Sequence, residues 1–240
     1  YRNVVFNEKE EKINNHYSAW WYCLFSTNIA REDNLPYPFF IRGDDMEYSL
    51  RNNKSQIHLN GICVWHEAFE NKYSPLMENY FAFRNTMVIN TKYSNFKAKH
   101  HLKFLFKRVI REICVYDYDA GKLLLEAAKD FVNGKQKYTD FNYSELLKEK
   151  GKSLKKLESL DSLKIEVPYE EFQHEKLRTT GKVLRIMRVL TLNGHFLPSI
   201  FFKNSGITEY GYRTRIINYF MRKKVIAYDL NVEKAMIMKH

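Results

Sequence analysis

An apolar run, Phe39-Phe-Ile41, stops at Gly43 and gives way at once to Asp44-Asp-Met-Glu-Tyr48, while a second apolar run, Ile57 to Trp65, stops at His66. Apolar strand, glycine, acidic helix start is the order in which open α/β sheets deliver ligand and catalytic groups to the carboxyl ends of their strands. The pattern predicts a crevice shared by Asp44, Asp45 and His66. A plainer account competes with it. Asp44 as N-cap with Glu47 three residues on makes a capping-box pattern, and an acidic first turn gains roughly 0.3–1 kcal/mol from the helix dipole. A lone histidine at a strand end is more often structural than a ligand. That account gives Asp45 no separate task. The dipole would also keep Asp45 ionised, available as a proton acceptor at neutral pH but somewhat weakened as a base.

The motifs Ser18-Ala-Trp-Trp-Tyr22, Phe39-Phe-Ile-Arg-Gly-Asp-Asp-Met-Glu-Tyr48, Gly61-Ile-Cys-Val-Trp-His-Glu67 and Tyr80-Phe-Ala-Phe-Arg-Asn85 occur in this order within about the first ninety residues. Together they resemble the acceptor-side half of bacterial galactofuranosyltransferases of glycosyltransferase family 2, which have a GT-A fold. The resemblance implies Asp45 as general base, Asp44 as its support, His66 as a ligand of the divalent metal that holds the nucleotide diphosphate, and Trp20 and Trp21 as shapers of the sugar site. It also implies a UDP-sugar donor and a glycan or lipid-linked glycan acceptor. The family's Asp-X-Asp metal motif belongs to a donor-side half that is not recognisable here. The chain opens at Tyr1 straight into acceptor-side motifs, so it reads as the later part of a longer polypeptide whose isolated fragment is expected to be inactive. The literal Asp117-Tyr-Asp119 match reads as a solvated turn before Gly121.

The chemistry asks for such groups. An inverting transfer needs a carboxylate within hydrogen-bond reach of the acceptor hydroxyl. The departing diphosphate gathers charge that a divalent cation neutralises, and an imidazole ligand points to manganese before magnesium. Two adjacent tryptophans on a strand face opposite ways, so strand geometry allows only one of Trp20 and Trp21 into the crevice. Galactofuranose is implied by resemblance alone, and another sugar such as rhamnose is the near alternative.

Charge supplies a rival of a different class. With 39 Lys and Arg against 28 Asp and Glu, the formal net charge is +11, which favours anionic neighbours. Between Phe96 and Val115, Lys99, Lys103, Lys107 and Arg111 recur every fourth residue, with Leu102, Leu105, Phe106, Val109 and Ile113 on another face. This basic amphipathic helix is either core-packed with a solvated outer side or set against anionic lipid headgroups. A basic nucleic-acid- or membrane-binding protein fits the charge; it leaves Asp44, Asp45 and His66 unexplained.

The expected class is α/β, a partial GT-A-like mixed sheet followed by a mainly helical C-terminal region with some β, divided at 1–95 and 96–240. Strand-rich stretches are expected at 15–27, 38–43 and 56–66, and helices at 44–52, 74–92, 96–133, 143–150 and 179–192. Asn193-Gly194 marks a turn, and 225–228 and 235–238 read as β. Cys23, Cys63 and Cys114 suggest neither disulfide framework nor zinc site. No run nears the roughly 20 apolar residues that span a bilayer. The expected place is the cytoplasm, or the inner face of the plasma membrane as a peripheral protein.

Overall fold

The computed structural model describes residues 19–52, 64–67, 72–134, 142–166, 170 and 181–240. The fold is mixed α/β, as expected; the described sheet is built from the C-terminal region, where the stretches read as β at 225–228 and 235–238 fall within strands, and not from the expected N-terminal ones. Helix α1 is Asp44–Asn52; a π-helical run Leu76–Ala82 passes into α2, Phe83–Tyr93; α3 is Ala98–Cys114, α4 Tyr118–Val132 and α5 Tyr143–Gly151. Then follow β1, Glu158–Ser159, α6, Leu160–Leu163, α7, Lys182–Leu190, β2, Lys203–Glu209, β3, Arg222–Asp229, and β4, Lys234–Lys239. The sheet order is β1-β4-β3-β2, with β2 parallel to β3 and the other pairs antiparallel.

The strands expected at 19–27 and 38–43 do not form. Thr27–Ile29 and Glu32–Asn34 are 3-10 turns, the rest is irregular, and Val64–His66 is irregular too. Residues 15–18 and 56–63 lie outside the described residues. Pro36 and Pro38 remove two ladder donors, and the aromatic side chains find cover singly: Trp20 and Phe25 on Tyr48, Phe40 between Phe81 and Tyr143.

The helices follow their periodicity more closely. Leu76, Tyr80, Phe83 and Met87 bury against Leu123, Leu124, Ala127 and Ala128 of α4, and Gly134 (φ +70°) closes α4 as a C-terminal stop. α3 is the partial exception. Leu105 and Val109 turn inward, whereas Leu102 is 65% and Phe106 67% exposed. Arg111 leaves the lysine face and pairs with the buried Glu112 at 2.7 Å. A second core, Val115, Tyr219, Val225, Ala227, Met236 and Met238, underlies the sheet. Tyr116 joins the two layers, donating from its hydroxyl to the carbonyls of Tyr219 (2.5 Å) and Arg222 (3.0 Å).

Candidate active site

Helix α1 begins where the apolar run ends because the turn ahead of it is held tightly to α2. Gly43 has φ +96°, and a Cβ there would stand 2.9 Å from Ile89 Cδ1, a combination that calls for glycine. Asn85, wholly buried in α2, donates from Nδ2 to the carbonyls of Ile41 (2.8 Å) and Arg42 (2.9 Å). Arg42 sends its guanidinium to Glu78 at 2.7 Å and to Tyr212 Oη at 3.0 Å. The Glu47 amide donates to Gly43 O at 2.8 Å, so Asp44 and Asp45 are the first two helical residues.

The Glu47 carboxylate does not reach back to close the expected capping box. It is fully buried and accepts from Tyr93 Oη (2.6 Å) and Arg51 Nη2 (3.0 Å), fastening α1 to the end of α2. Asp44 and Asp45 are half-buried. Asp45 Oδ1 accepts from the Met46 amide at 2.7 Å. Burial nevertheless pushes the Asp45 carboxyl above its ordinary range, helped by the charge of Asp44 and opposed by the Met46 amide. The helix dipole alone would weaken Asp45 as a base; desolvation outweighs it and makes Asp45 a stronger one.

Trp20 and Trp21 sit in a turn, not on a strand, and are placed differently. Trp20 is half-buried with its ring edge-on to Tyr48 of α1, centroids 5.6 Å apart at 77°. Trp21 is exposed and stacks on His66, 4.6 Å apart at 23°. One dipeptide therefore contacts both the acidic helix and the histidine. His66 Nδ1 lies 2.5 Å from the Glu67 carbonyl; in the tautomer this contact favours, Nδ1 carries the proton and Nε2 is left with its lone pair. Beside it Trp65 is 93% exposed, and Tyr22 and Phe25 are exposed as well. Periodicity did not single out this aromatic rim. Asn85 and Gly43 were likewise missed as positioning residues, although the Arg84-Asn85 motif and the glycine before the acidic pair were visible in the string.

Asp117 departs from the solvated turn expected of it. It is the N-cap of α4, its Oδ1 accepting from the Ala120 amide at 3.1 Å. It lines a cavity of about 10 Å³ with Tyr73, Arg111, Glu112, Tyr210 and Tyr219, room for about one water. Burial raises its carboxyl to about 6, with the charges of Glu112 and Asp119 adding to the effect. Asp119 itself pairs with Lys122 at 3.1 Å. This is a packed polar joint, not a substrate cleft. The histidines away from the site are structural where described: His101 is buried against Thr91 Oγ1 (3.1 Å) and His195 meets Tyr118 Oη (3.2 Å). His174 lies outside the described residues.

No family model matches the chain. Over 127 residues it is 27% identical to "Galactofuranosyltransferase GlfT2" of Mycolicibacterium smegmatis, and over 130 residues 25% identical to the protein of the same name from Mycobacterium tuberculosis. Each match covers 51% of this chain and 20% of the relative. The matched segment thus spans about a fifth of the length of these curated relatives. Over half of its length, the chain has a glycosyltransferase-like relationship.

Proposed function

We propose that this chain carries the acceptor-side chemistry of an inverting, metal-dependent galactofuranosyltransferase of the GT-A type, in which UDP-galactofuranose is the donor and a cell-surface or lipid-linked glycan the acceptor. Residues 1–95 supply the reacting groups and residues 96–240 the frame beneath them. The observation that carries the reading is the half-buried acidic pair at the start of α1, with Asp45 raised by burial, on a helix whose Tyr48 meets Trp20 while the adjacent Trp21 stacks on His66. It agrees with the name of the similar proteins.

In this reading Asp45 accepts the proton of the acceptor hydroxyl as that oxygen attacks the anomeric carbon. A carboxylate held above its ordinary range by burial is a stronger base than an exposed one, which suits the task. Asp44 raises its neighbour's basicity through like charge. Trp21, exposed on one side and backed by His66, offers an apolar platform for the C–H face of a sugar, and Trp20 fixes that platform to α1 through Tyr48. His66 Nε2 fits a divalent cation as a single imidazole ligand. Among the described residues no group of three or more His, Cys, Asp or Glu gathers to hold a metal, so the remaining ligands would be diphosphate oxygens, water or groups from elsewhere. Manganese, or magnesium, would neutralise the departing diphosphate as a Lewis acid.

The test is Asp45→Asn in a polypeptide that also contains a donor-binding half, assayed for transfer from UDP-galactofuranose to a galactofuranosyl acceptor. The expected result is a loss of about 10²–10⁴-fold in turnover with donor affinity retained. Transfer at the parental rate would remove Asp45 as the base.

A further inference from the structure

The longest continuous exposure of large apolar side chains in the described residues is remote in sequence from the acidic helix. In α7, Val183, Ile186 and Leu190 follow helical spacing on one face, and all three are exposed, Ile186 at 59%. The exposure continues through Phe196, Ile200 at 84% and Phe201. An apolar stripe of this kind ordinarily faces a core. Here the segment is fixed to the body by another residue. Asn193, buried in the turn after α7, donates from Nδ2 to the carbonyls of Cys114 (2.9 Å) and Ile216 (3.0 Å), and its Oδ1 accepts from Arg188 Nε at 2.9 Å. The anchored turn holds the end of the helix and leaves the stripe uncovered.

The charges carried by this stretch of chain have a single sign. No Asp or Glu occurs between Glu175 and Glu209, and Lys182, Arg185 and Lys203 are exposed. A second copy of the same face would bring cations against cations, which opposes self-pairing. An exposed apolar stripe whose own segment carries cations and no acids matches the headgroup and acyl boundary of an anionic bilayer, where apolar burial and electrostatic attraction add. We propose that α7 and the turn after it, residues 181–203, dock the protein on an anionic lipid surface. This segment is separate in sequence from the Lys99, Lys103 and Lys107 face of α3, and the proposal does not depend on the transfer reaction.

The test is co-sedimentation of the 240-residue chain with vesicles of phosphatidylcholine alone or mixed with phosphatidylglycerol. The chain should bind the mixed vesicles at low salt and not the neutral ones. Ile186→Glu with Ile200→Glu should weaken binding on the order of tenfold, and Arg185→Gln about fivefold. Leu102→Glu on α3 should leave it unchanged. Far-ultraviolet circular dichroism of each variant should match the parent, since the replaced side chains are exposed. Failure of the parent chain to bind mixed vesicles would overturn the proposal, as would full binding by the double variant or equal loss in Leu102→Glu. Concentration-dependent self-association abolished by the double variant, without vesicle binding, would show an interface between copies instead.

Discussion

Asp45 sits where two effects oppose each other: the helix start favours its charge, and the half-buried setting disfavours it. Burial wins, so the folded carboxyl lies above its ordinary value of 3.8. The sign for stability follows. An acid raised in the folded state costs nothing below its ordinary value, and the cost develops as pH rises through the folded one. Asp45→Asn should therefore unfold at the same or a higher temperature than the parent at neutral pH, with any gain gone by about pH 4; thermal denaturation across that range checks it. A clear loss of stability at neutral pH would mean that the carboxylate serves the fold. The string Gly43-Asp-Asp45 was enough to single out this residue. It was not enough to give the direction of its shift, because that depends on packing by residues distant in sequence. The same limit applies to Trp20 and Trp21: strand alternation allowed one to face the crevice without naming it, and a turn in place of the strand assigns the exposed position to Trp21.

At the scale of elements, the helices and the β runs at 225–228 and 235–238 are legible, whereas the short apolar runs before the acidic helix are not. A run of three or four apolar residues fits a buried strand or a buried irregular segment equally well, and at 38–43 the prolines and the grip of α2 decide for the irregular form. β2 was overlooked for the opposite reason. Lys203-Asn-Ser-Gly-Ile-Thr-Glu209 has little strand character of its own and becomes a strand by lying parallel to β3. Its Gly206 admits the Asn218 carbonyl, which would stand 3.1 Å from an added Cβ. Two element-level predictions follow from buried polar groups. Asn85→Ala removes two hydrogen bonds to the turn before α1 and should cost roughly 2–3 kcal/mol in urea denaturation; a cost under about 0.5 kcal/mol would show that the turn does not need this clamp. Asp117→Asn keeps an acceptor at the α4 N-cap and removes a carboxylate raised to about 6. The charge costs stability as pH rises through that value, so the variant should be the more stable one at pH 8, with the difference closing by about pH 4. Equal melting temperatures at both ends would contradict the buried placement.

For the whole molecule, the described residues form three cores: α2 packed on α4, the sheet packed under Tyr116, and Phe39, Val88 and Ile89 covered by Met46 and Leu50 of the acidic helix. Arg42 links the turn before the acidic pair to Tyr212, 170 residues further along the chain, so the site turn and the C-terminal region share a contact that no local reading of the sequence could provide. No described helix is long and apolar enough to cross a membrane. In the proposed function Asp45, Trp21 and His66 serve one reaction centre. The most direct measurement is paramagnetic broadening by Mn²⁺ of the Trp21 indole and Asp45 backbone amide resonances in this chain. Both signals should broaden at metal concentrations that leave the Ile186 and Ile200 amides sharp, and His66→Ala should restore them. Unbroadened Trp21 and Asp45 signals while other resonances disappear, or the same broadening in His66→Ala, would contradict it.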